Sequence, residues 1–352
     1  MKLRPRYIGI AVLLIVVGIQ LVTFVTAKVL PANLNTNRGR QSQNYKISGP
    51  YTYENLSIYL VHGKDTIDGK KFLTLQEAME KKVVIVHETK DVNELAIENV
   101  SLDQEVYVQS GDIVKGGQQD RVLAVDLIVP PRSGKIPIAA FCVESGRWSK
   151  RGGEADAKFD SSNDRIATRE LKVAANGAKS QGEVWAKVTE VQEKLSRNAQ
   201  VTVNSTASSS SLQLSLENGR VKEMTDSYIR KLSGIIDGQW DVIGYAFAIN
   251  GKVNSADVYG SSALFRKLWP KLLKASAVEA VADLQRGQKF ETVKSASVED
   301  FLVAADDGKA SENEVTDRIK MVTRETDKDI VIETRDQKQK EALLHRSYVN
   351  KQ

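Results

Sequence analysis

Residues 111–121 read GDIVKGGQQDR and place Lys115, Gln118, Asp120 and Arg121 around a glycine pair, Gly116 and Gly117. Adjacent glycines permit conformations in which backbone N–H groups approach a bound group closely, and a cation on either side suits an anion. The stretch is not a nucleotide-triphosphate loop. Counted from Gly111, Gly117 stands where such a loop needs lysine and Gln118 where it needs serine or threonine. A strand-like apolar run follows it, so it is not a dinucleotide-binding turn either. One apolar run later, FCVESGRWSKRGG carries Glu144, Arg147 and Trp148 around Gly146. If the two turns meet, Asp120 and Glu144 are the acid/base candidates. Lys115, Gly116, Gly117, Gln118, Arg121 and Arg147 would then surround an anion, with Trp148 as a stacking surface. The same Asp120, Arg121, Glu144 and Arg147 would equally serve as an ion-pair network that only locks two turns together. The residue types leave both readings open.

Other chemistry is scarcer. Cys142 is the single cysteine, so no intrachain disulfide and no thiolate metal site can form. Its setting, IPIAAFCVE, is that of a buried small side chain. His62, His87 and His345 are too dispersed to suggest a metal centre, and no metal or cofactor is expected. The groups Asp306-Asp307 and Glu325-Asp327-Asp329 lie in polar stretches that read as solvated loops. No G-x-S-x-G elbow occurs. Whether the chain is an enzyme is left undecided.

The elements that must hold these residues divide by period. LSIYLVHG, VVIVHET, LAIENVS, EVYVQS, VLAVDLIVPP and KIPIAAFCVES alternate or run apolar, with turn residues between them, and predict a mainly antiparallel sheet over about 56–145. Thr74 and Glu77 form a capping box that starts a short helix. Ser180 and Glu183 repeat that signature ahead of Val184, Val188, Val191 and Leu195, which predicts a helix over about 181–197. NSTASSSS, 204–211, reads as a plain connection. Val221, Met224, Tyr228 and Leu232 mark another helix, and Asn250-Gly251 predicts a hairpin over about 242–259. Ser261 or Ser262 caps the next helix, which contains Pro270, where it is expected to kink or restart. RIKMVTRE and DIVIETRD suggest a last hairpin, followed by a basic segment with no clear period. The expected class is α+β, an antiparallel sheet covered by helices from the second half.

The first residues follow other rules. Lys2, Arg4 and Arg6 precede Ile8 to Val25, an uncharged apolar run about 27 Å long as a helix. Two readings follow: an uncleaved anchor holding the main domain outside the cytoplasm, or a secretory signal cleaved near Ala27 or Ala32. The 50 Lys and Arg against 45 Asp and Glu give a net charge of +5, and those three cations account for most of it. No basic face for nucleic acid is therefore expected. The implied division is 1–27 anchor or signal, 28–51 polar linker, 52–290 main domain, and 291–352 a charged extension with a hairpin.

Taken together, GDIVKGGQQDR, FCVESGRW, QGEVWAKV and GYAFAINGKVNSADVYGSSALFRKLWPKLL resemble the ADP-ribosylglycohydrolase and rhodanese-phosphatase-superfamily-associated protein domain, over about residues 52–284. The resemblance carries no catalytic residues across. It implies a phosphorylated or ADP-ribosyl-type ligand, bound or processed. The alternative is a membrane-tethered interaction or scaffold protein with an unknown protein partner.

Overall fold

The computed structural model describes residues 28–29, 45–67, 72–89, 91–147, 159–165, 168–175 and 180–351. In chain order the strands and helices begin with β1 (Lys28–Val29), β2 (Lys46–Tyr53), β3 (Leu56–His62), β4 (Leu73–Thr74), α1 (Leu75–Glu80), β5 (Val84–Glu88) and β6 (Glu94–Asn99). Short strands follow: β7 (Val106–Val108), β8 (Asp112–Gly116), β9 (Arg121–Leu123) and β10 (Leu127–Val129), then β11 (Lys135–Cys142) and β12 (Phe159–Arg165). The helical section holds α2 (Arg169–Val173), α3 (Gln181–Ala199), α4 (Leu212–Leu216) and α5 (Gly219–Leu232). Next come β13 (Val242–Ile249), β14 (Lys252–Tyr259), α6 (Ser262–Ala282) and α7 (Ser295–Ala304). The chain closes on β15 (Lys309–Glu314), β16 (Ile319–Glu325), β17 (Asp329–Asp336) and β18 (Ala342–Asn350).

The strands form three sheets that are antiparallel except at the short β4–β7 pairing. A nine-stranded sheet runs β1-β15-β16-β17-β18-β14-β13-β3-β2. A six-stranded sheet, β12-β8-β9-β11-β6-β5, and a three-stranded one, β10-β7-β4, make the second layer. This is the α+β class that the strand and helix periods predict. β18, the basic segment without a clear period, sits between β14 and β17 in the large sheet.

Every residue of β13 is buried, and so are six of the seven in β3, because both faces of these central strands are covered. One face packs into a core shared with α3, α5, α6 and the smaller sheets. The other face takes α7, whose Val298, Phe301 and Leu302 pack with Tyr59, Val258, Val331 and Tyr348. Arg318, ahead of β16, reaches across the layers to Glu105 at 2.6 Å and to Asp336 at 2.7 Å.

Local rules explain most boundaries. Thr74 and Glu77 make both bonds of the capping box. Ser180 accepts from the Glu183 N–H to start α3, and Ser261 from the Leu264 N–H to start α6. Asn250 at φ +52° and Gly251 at φ +74° form the β13–β14 turn. Two details differ from expectation. α6 runs on through Pro270 without a break; Leu268, Trp269, Lys271, Leu272 and Leu273 are buried around the proline, and packing of this face outweighs one lost backbone bond. The run VLAVDLIVPP is two strands, β9 and β10, because Asp126 between them turns inward to partners described below.

Among the described residues no helix is long and apolar enough to cross a membrane. That corrects the expectation of a membrane-anchored function, which the fold does not support. The apolar run from Ile8 to Val25, on which it rested, lies outside the described residues.

Candidate functional site

The glycine-rich stretch is a tight hairpin. Residues 112–116 form β8, Gly116 (φ +116°) and Gly117 (φ +55°) turn the chain, and β9 starts at Arg121. The positive φ of Gly117 favours glycine, and a Cβ there would run into the Phe159 ring and the Glu88 carboxylate. The turn does meet the segment after β11. Arg147 pairs with Glu144 at 2.8 Å and lies 3.7 Å from Asp120, and its guanidinium donates to the Gly116 and Gly117 carbonyls. Asp120 accepts from the Gly116 N–H at 2.9 Å and from the Ser211 hydroxyl at 3.1 Å. Glu144 accepts from the Asp120 N–H. Both carboxylates are fully buried.

The remaining candidates are also held by protein partners. Lys115 is 2.7 Å from Glu217. Arg121, only 2% exposed, donates to the Val92 carbonyl and to Cys142 Sγ, both at 2.6 Å, and faces Glu88 at 3.5 Å. The Gln118 N–H donates to Glu88, and only the Gln118 side chain is left exposed. Trp148 lies outside the described residues. The structure thus gathers Gly116, Gly117, Asp120, Glu144 and Arg147 into one cluster and turns Lys115 and Arg121 to separate carboxylates. Each of these cations already faces an acid. The serine loop contributes more than a connection: Ser210 exchanges hydrogen bonds with the Ser145 backbone, and Ser211 caps α4 while bonding Asp120.

A second charged cluster lies between the layers. His345 on β18 bridges Asp126 (Nδ1, 2.8 Å) and Asp257 on β14 (Nε2, 3.2 Å), with the Tyr259 ring stacked on it at 4.6 Å. Asp126 also accepts from the Ser110 N–H and the Thr334 hydroxyl. Burial opposes the imidazolium, yet the two aspartates outweigh it and raise the His345 pKa to about 9. Asp126 is likewise held below the usual carboxylate range, against its burial, by His345 and these hydrogen bonds. All three side chains are at least 96% buried, so this is a charged pin between sheets and not an open site. The cysteine is inert for a related reason: burial pushes the Cys142 thiol up to about 11 despite Arg121.

The open chemistry lies elsewhere, where α3, α6 and the β13–β14 turn end together. Asn198 in the last turn of α3 donates to the Val281 and Ala282 carbonyls at the end of α6. Asn250 donates to the Asp283 carbonyl and accepts from Asn55. These amides satisfy carbonyls that helix ends leave orphaned and fix the three ends against one another. They border a cleft of about 570 Å³ lined by Arg169, Lys194, Arg197 and Lys252, with Asp283 as its one carboxylate. Lys194 pairs with both Asp283 and Glu190, each at 3.2 Å. Arg197 and Lys252 are exposed and form no ion pair among the described residues. Below the cleft, buried Glu279 accepts from the Arg169 N–H and from Asn254, which anchors α2 to α6. Sequence reading missed this cleft, because its cations come from three elements far apart in the chain and each alone looks like an ordinary surface charge.

Among the described residues no group of His, Cys, Asp and Glu is arranged to hold a metal ion. The chain belongs to the family described as the ARG and Rhodanese-Phosphatase-superfamily-associated Protein domain, whose model matches residues 44–349. The match takes in β15 to β18, consistent with their place in the large sheet. No curated protein and no solved structure matches the chain.

Proposed function

We propose that the protein is a binding domain for a phosphate-bearing small molecule, seated in the cleft between the ends of α3 and α6. One observation carries the reading: Arg197 and Lys252 stand exposed at this cleft and form no ion pair among the described residues, whereas the cations of the glycine hairpin are matched inside the fold. The C-terminal ends of α3 and α6 work against an anion, at roughly half a unit charge each. The two full charges of Arg197 and Lys252 exceed that opposition, and the asparagine amides already engage some of those carbonyls.

The contacts are solvent-facing, so each contributes only about 1 kcal/mol and screens readily. The reading therefore predicts weak, salt-sensitive binding. Asp120 and Glu144 act as structural acids in this reading, and no catalytic step is assigned to them. The test is thermal unfolding of the full chain with inorganic pyrophosphate, for the wild type and for Arg197→Glu/Lys252→Glu. Ligand at ~100 times its dissociation constant adds about 2.7 kcal/mol to wild-type stability. The double variant should show no shift; an equal shift in both proteins would place the anion elsewhere and refute the proposal.

A further inference from the structure

We infer that a second lobe beside the anion cleft receives a ring-bearing part of the same molecule, so that the site prefers a phosphate ester to a bare inorganic anion. The inference rests on the phosphate reading above and names the class of ligand. A second cleft of about 620 Å³ shares Leu284, Gln285 and Phe290 with the first, so both clefts border the segment that follows α6. Its lining is of a different kind. Half-buried Tyr53, Met224, Leu284 and Phe290 present carbon surface and Gln285 an exposed amide, while exposed Glu54, Arg286 and Lys289 stand at the rim. Partly exposed aromatic rings beside an amide suit a planar group with polar edges.

The floor under both lobes is continuous. Tyr228, whose ring meets Tyr53 edge-on at 5.1 Å, donates its hydroxyl hydrogen to Asn55. Asn55 donates to Asn250 and to the Ala280 carbonyl, and Asn250 donates in turn to the Asp283 carbonyl beside the cations. The two lobes are therefore fixed in relation to each other before any ligand arrives, which lowers the ordering cost of a molecule that occupies both.

The test is calorimetric titration of the full chain at pH 8, where inorganic phosphate and 1-naphthyl phosphate are both largely dianions. Three proteins are compared: wild type, Lys252→Glu, and Ser227→Trp. Ser227 is half-buried on α5 and lines the second lobe only, so tryptophan there fills that lobe. The expected result is naphthyl phosphate binding at least about tenfold tighter than inorganic phosphate, a gain of about 1.4 kcal/mol. Ser227→Trp should remove that gain and leave inorganic phosphate binding unchanged, while Lys252→Glu should weaken both ligands. Equal affinity for the two ligands in the wild type, with both weakened by Lys252→Glu, would overturn the two-lobe inference and leave the anion cleft standing. Binding of neither ligand would overturn both.

Discussion

Replacing His345 with leucine should cost the fold about 3–5 kcal/mol near neutral pH, the usual consequence of removing one partner from a buried ion pair. The substitution keeps much of the side-chain volume but, among the described residues, leaves Asp126 with the Ser110 N–H and the Thr334 hydroxyl, and takes from Asp257 its imidazolium partner while Lys172 stays 3.7 Å away. The pH dependence provides an independent estimate. Raising the His345 pKa from 6.5 to about 9 corresponds to roughly 3 kcal/mol of stabilisation. The folded value lies above the unfolded one, so this contribution is complete below about pH 6.5 and is lost as pH rises through about 9. Urea unfolding at pH 6, 7.5 and 9.5 reads it directly. At pH 6 the variant midpoint should fall by about 1 M or more, and the gap from wild type should narrow by pH 9.5. A difference that stays constant across that range would refute the charged pin, as would a variant as stable as the wild type.

Other parts of the account give their own expectations. Arg147→Met should lower stability by about 3 kcal/mol or more in thermal unfolding, because Asp120 and Glu144 stay buried and lose this cation; if stability is unchanged, the cluster does not hold the two turns. Cys142 should resist iodoacetamide at pH 8 in the folded protein and react once urea is added, since burial has pushed its thiol up to about 11. Rapid native labelling would contradict the buried setting.

Local structure was legible wherever a short-range rule decides it. Capping boxes at Thr74, the serine caps at 180 and 261, and the Asn250-Gly251 turn lie where those residues put them. Continuity was harder to read. Pro270 announces a break that the buried faces of α6 override, and a single aspartate, Asp126, divides what reads as one strand. β18 carries little period because it is central, with buried charges answered by acids on neighbouring strands, His345 by Asp257 on β14 and Arg346 by Glu333 on β17. The glycine hairpin drew notice as a dense local group of charges, but local density does not reveal which way the charges face. Arg169, Lys194, Arg197 and Lys252 belong to α2, α3 and β14, and only the tertiary fold brings them to one cleft. Arg197 in the last turn of α3 was the one local hint, and complementing the helix dipole explains it equally well.

The central claim concerns where an anion binds, so the most direct test is to locate one. Crystals of the protein soaked in tungstate would report the position of a tetrahedral dianion by its anomalous signal. The account predicts a peak between Arg197 and Lys252, absent from crystals of the Lys252→Glu variant. A peak at the Gly116–Gln118 turn instead, or no ordered anion at the ends of α3 and α6, would contradict it.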